Sequence, residues 1–167
     1  MVADAKDPRA RERRFADLLE QAFASAGWAV ERAATKPDQA DFVVRQSAES
    51  PWCVIEVKAG AEGRSDRLIP LWAQACLEAS QWRGAGRPVA VVAAPKISSK
   101  AADAVLEFAS RYAPETAAGV IDSAGLRRFH GEGLETLNAD PDEPRASGRA
   151  AVASHADLFS DLNQWLL

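Results

Sequence analysis

Three side chains between Asp41 and Lys58 have the types and spacing to do chemistry together. Asp41 opens an apolar run, Phe42-Val43-Val44, and Glu56-Val57-Lys58 closes a second one that begins Trp52-Cys53-Val54-Ile55. Side chains alternate along a strand, so Glu56 and Lys58 share one face while Ile55 and Val57 take the other. The second run is apolar on both faces, which predicts a central, covered strand. Opposite charges at the end of such a strand are costly unless they are paired or bound to a metal. An incidental cross-strand ion pair on a solvated face is the simpler alternative.

These residues need elements to hold them. Phe15, Leu18, Leu19, Ala22 and Phe23 recur at helical spacing and predict a helix over Pro8–Ala26, with Asp7-Pro8 as its start and Gly27 as its stop. Residues 28–33 read as a strand, Thr35–Gln39 as a turn, Ala40–Arg45 as a second strand and Trp52–Ala59 as a third. A Gly-rich polar loop, Ala59–Ser65, follows. Leu68–Trp82 then reads as an amphipathic helix with Pro70 in its first turn. Arg87–Pro95 is a buried strand of the parallel type, and Ser98-Ser99 cap a helix running to about Tyr112. Ala118–Asp122 is the last core strand, with Asp122 as a turn former. Strand–helix–strand order here predicts a mixed α/β sheet.

Asp41 and Glu56-Val57-Lys58, set in the order helix, three-strand meander, helix, strand, helix, strand, resemble the PD-(D/E)xK, or restriction-endonuclease-like, nuclease superfamily. The pattern is nearest to its Holliday-junction-resolvase-like and RecB-like members. The resemblance implies a restriction-endonuclease-like core: a mixed central sheet flanked by helices. It implies Asp41, Glu56, Lys58 and Glu12 as catalytic residues, and Asp41, Glu56 and the Val57 carbonyl as ligands of magnesium or manganese. Glu12 is preferred to Glu20 because Glu12-Arg13-Arg14-Phe15, ending in Gly27-Trp28, is similar to the first core helix of the resolvase-like members. A surface glutamate paired with a neighbouring arginine remains the alternative. Asp38 competes with Asp41 through its Pro37-Asp38 dipeptide, but Asp41 runs directly into a strand where it can face Glu56. Gln74 resembles the glutamine of the RecB-like branch, although Glu78 stands where that branch has a tyrosine. Arg64, Arg67 and Gln74 are the candidate nucleic-acid contacts, the arginines through bidentate binding of phosphate or else as ordinary surface charge.

The chain of 167 residues carries a formal net charge of −4, which argues against a basic coat protein but not against a local basic groove. Neither a membrane-length apolar run nor a signal-peptide core is visible, and Cys53 and Cys76 fit reduced packing residues, so a cytoplasmic protein is expected. Phosphate-binding loops, dinucleotide fingerprints and nucleophile elbows are lacking. Residues 1–137 read as the nuclease-like domain and 138–151 as a linker. The stretch 152–167 reads as an amphipathic helix that docks, pairs with a second copy as a homodimer, or begins a further domain. The expected function is metal-dependent hydrolysis of nucleic-acid phosphodiesters, DNA ahead of RNA. The competing expectation is a catalytically inactive nuclease-fold protein used for nucleic-acid binding or assembly.

Overall fold

Asp7 starts the first helix. Its Oδ1 accepts the Arg9 amide at 3.0 Å, Pro8 fills the first helical position, and α1 (Pro8–Ser25) ends where Gly27 turns the chain at φ 86°. The computed structural model describes residues 7–32 and 40–141. The turn expected at residues 35–39, with Asp38, and the helix expected at 152–167 lie outside the described residues.

Among the described residues, six strands form one sheet in chain order: β1 (Ala29–Arg32), β2 (Phe42–Arg45), β3 (Cys53–Ala59), β4 (Arg87–Ala94), β5 (Ala117–Asp122) and β6 (Arg127–His130). The first three are an antiparallel meander. Next, β3, β4 and β5 run parallel, connected through α2 (Ser65–Ser80) and α3 (Ser99–Tyr112), and β6 returns antiparallel. Helix, meander, helix, strand, helix, strand is the order expected from the sequence. The β6 strand and a short 3-10 turn (Leu134–Leu137) follow the last strand foreseen.

Strand alternation divides the core in two. Cys53, Ile55, Val57 and Ala59 face α1 and pack with Phe15, Leu19, Phe23 and Phe42. On the other face, Ala90, Val92 and Val120 pack with Leu68, Trp72 and Ala75 of α2 and Ala102, Val105 and Ala109 of α3. Buried Trp72 donates its indole N–H to the Ala90 carbonyl at 3.0 Å, so the largest side chain of that face is also a hydrogen-bonded anchor. Glu56 and Lys58, being even-numbered on β3, project toward this α2 face.

Three expectations need correction. The second helix begins at Ser65, not Leu68, so Pro70 lies in its second turn. Extended Arg64 precedes it and Asp66 sits in its first turn, where a carboxylate suits the helix dipole, and Pro70 is solvent-exposed. Asp41 lies just before β2 rather than on it. Finally, the polar stretch from residue 138 begins inside the packed domain. Asn138 Oδ1 accepts the Phe129 amide at 2.7 Å, and Arg127 and Ala139 exchange backbone hydrogen bonds at 2.8 and 2.9 Å.

Gly119, inside β5, leaves room for the Phe129 ring: an added Cβ would lie 2.5 Å from that ring and 3.1 Å from Val91 Cγ2. Gly119→Ala is therefore expected to cost about 1–3 kcal/mol in denaturant unfolding. Gly84→Ala, with nothing within 4 Å of the added methyl, should change the unfolding free energy by less than about 0.5 kcal/mol.

Candidate active site

The site forms where one strand outruns its neighbour. β4 pairs with β3 along all of Cys53–Ala59, but β2 pairs only with Cys53, Val54 and Ile55. Beyond Ile55 the β2 side of β3 has no strand partner among the described residues. The backbone groups of Val57 and Ala59 face that side, because those of successive residues alternate between neighbours. Unpaired amides there need acceptors. Asp41 Oδ2 takes the Val57 amide at 2.8 Å, and the Glu12 carboxylate, arriving from α1, comes near the Ala59 backbone, which favours its charged form. Extending the register one step past Phe42–Ile55 sets Asp41 opposite Glu56. Two acids from elsewhere in the chain are thus drawn to the end of β3 that carries Glu56 and Lys58.

Crowding shapes their ionisation. Glu56, only 6% exposed, is pushed up to about 7, by burial first and by the Asp41 charge second, with the Trp82 hydrogen bond opposing. Burial also raises Asp41, against the Val57 amide and the Lys58 ammonium. Glu12 rises by burial too, with Lys58 opposing. For Lys58, burial disfavours the charge, but its hydrogen bond to Glu78 and the nearby charges of Glu12, Glu78 and Glu56 outweigh it, and its pKa is raised. Lys58 is therefore a fixed cation and hydrogen-bond donor, not a neutral base.

Two residues of the site were not foreseen in a functional role. Lys58 Nζ lies 2.9 Å from Glu78 Oε2, and Trp82 Nε1 donates to Glu56 Oε1 at 3.1 Å. Gln74 joins through Glu78, its Nε2 lying 3.4 Å from Glu78 Oε1. The signal was present in the spacing: Gln74, Glu78 and Trp82 recur every four residues, on one helical face extended past the helix end. Arg64, just before α2, and Arg67, in its first turn, are exposed, and Arg64 is forked onto Asp66 through two hydrogen bonds of 3.1 Å. Glu20 goes elsewhere, pairing with Arg32 together with Asp17.

No protein-family model matches the chain, and a search of curated proteins gives no match. A search of solved structures finds Hjc, a Holliday junction resolvase from the archaeal hyperthermophile Archaeoglobus fulgidus. It is 17% identical with a TM-score of 0.31, and the match covers 77% of this chain and 93% of that one. At that TM-score the likeness bears on no residue of the site.

The donor set suits a hard cation. Asp41 Oδ1 and Glu56 Oε2 are the carboxylate oxygens left over from the two hydrogen bonds, and the Val57 carbonyl points to the same open side of β3 as its amide. Oxygen ligands of this kind are the preference of magnesium and manganese. Among the described residues, no group of three or more His, Cys, Asp or Glu side chains is placed to hold a metal ion. No helix among the described residues is long and apolar enough to cross a membrane.

Proposed function

We propose that this protein is a metal-dependent nuclease that hydrolyses phosphodiester bonds of nucleic acid, DNA in the first instance. One observation carries the proposal: Asp41, just before β2, and Glu12, on α1, are both brought to the overhanging end of β3 that carries Glu56 and Lys58. The PD-(D/E)xK resemblance of these same residues supports it. Asp41, Glu56 and the Val57 carbonyl would hold magnesium or manganese. Such a cation, when bound, stabilises charge on the phosphate and acidifies water.

The chain's own groups do the rest. Lys58, kept charged by its acidic neighbours, donates hydrogen bonds to the attacking water or to a phosphate oxygen and holds it in line. Glu12, half-buried near the Ala59 backbone, adds negative potential at the rim that favours a cation. Arg64, at the N-cap of α2, and Arg67 and Gln74 on it would meet the nucleic-acid backbone, Arg64 exchanging Asp66 for phosphate.

The deciding experiment is cleavage of single-stranded, double-stranded and branched DNA and of RNA, with magnesium, manganese or chelator. Metal-dependent cutting is expected, reduced at least about a hundredfold in Lys58→Ala. Equal cutting by that variant would overturn the proposal. A second, non-catalytic function of the same fold is favoured by the Lys58–Glu78 ion pair, which engages the ammonium with a partner inside the chain. It predicts nucleic-acid binding or assembly without cleavage and without metal affinity.

A further inference from the structure

A helix and a strand have different repeats, yet one turn of α2 matches one two-residue step of β3. A two-residue strand step covers about 6.6 Å and four helical residues about 6 Å. Glu78 therefore meets Lys58, and Trp82, four residues on, meets Glu56, two residues back. Past the end of α2 the turn stays on β3, with Gly86 against Val54: a Cβ on Gly86 would fall 3.2 Å from Val54 Cγ2 and 2.5 Å from the Trp52 carbonyl oxygen. The chain between α2 and β4 is thus held tightly to β3, and Trp82 is seated in that segment. Its half-buried indole N–H is committed to one oxygen of a carboxylate that is otherwise buried.

We infer that Trp82 is a positioning residue for Glu56: its N–H occupies Oε1, fixes the carboxylate rotamer and leaves Oε2 as the oxygen offered to a cation. A glutamate has three side-chain torsions, and a carboxylate free to rotate binds a cation with an entropy cost that a fixed one avoids. Hydrogen bonds that orient a ligand side chain from behind are worth about 10–100-fold in metal affinity. Trp82 touches neither cation nor substrate in this role; it acts through Glu56. The inference rests on the metal-site proposal above.

The test replaces only the N–H. Trp82→3-benzothienylalanine keeps the bicyclic ring and puts sulfur where the donor was, and Trp82→Phe is the second variant. Manganese affinity of each is measured by calorimetry on the full chain, alongside thermal unfolding in chelator. Both variants are expected to bind manganese about tenfold more weakly than wild type, the first with an unchanged unfolding midpoint. Wild-type affinity retained by Trp82→3-benzothienylalanine would overturn the inference and leave the metal site standing. Failure of the wild type itself to bind manganese would overturn the metal site and the inference with it.

Discussion

Glu56→Gln is expected to abolish cleavage while making the metal-free protein more stable at pH 8. Glutamine is nearly isosteric, keeps an acceptor for the Trp82 indole and carries no charge. The loss of activity should be at least about a thousandfold, since one of two carboxylates meant for the cation is gone. The gain in stability follows from linkage. Burial and the Asp41 charge raise the Glu56 pKa from 4.5 to about 7 in the folded state. The folded protein therefore binds the proton more tightly than the unfolded chain does. Stability from this group is full below the unfolded value and is lost as pH rises through the folded one. At pH 8 the ionised glutamate costs at most about 3 kcal/mol, less after solvent screening. Denaturant unfolding in chelator should show wild-type stability falling between about pH 4.5 and pH 7, and a flatter profile for Glu56→Gln. Manganese should raise the unfolding midpoint of the wild type and leave the variant's unchanged. A variant that cleaves normally would remove Glu56 from the site, and one less stable at pH 8 would contradict the electrostatics.

Asp122→Ala is expected to be the most destabilising single change outside the apolar core. This buried carboxylate accepts three backbone amides: Ile97 at 3.0 Å on Oδ2, and Ala124 and Leu126 at 2.9 Å each on Oδ1. One side chain thus joins the loop entering α3 to the turn between β5 and β6. Alanine would leave the Ile97 and Leu126 amides without their partner in a buried setting. Such amides cost about 1–3 kcal/mol each, so a loss of about 3–5 kcal/mol in denaturant unfolding is anticipated. Asp122→Asn keeps Oδ1 as acceptor for two amides but turns an NH2 toward Ile97, and should lose roughly half as much. If Asp122→Ala unfolded within about 1 kcal/mol of wild type, the turn would not depend on this carboxylate.

The local sequence determined more of this protein than its short motif suggests. Glu56 and Lys58 share a face because strand geometry alternates, whatever surrounds the strand. Asp7-Pro8, Gly27 and Ser98 mark helix ends because capping is a property of a few adjacent residues. Residues whose role depends on the phase between two elements were decided only by packing. Glu12 and Glu20 lie on one helix about 12 Å apart along its axis. Only the placement of α1 on the sheet carries Glu12 to the free edge of β3 and Glu20 to Arg32. The end of β2 at Phe42, which exposes the Val57 amide to Asp41, follows from pairing register, a long-range property. Glu78 read from the sequence as a departure from a familiar tyrosine. In the fold it is the partner of Lys58, because the rise of α2 against β3 sets it there and sets Trp82 on Glu56 one turn later. Chain-local geometry thus determined which groups β3 offers, and the tertiary structure decided which groups from α1, the start of β2 and α2 come to meet them.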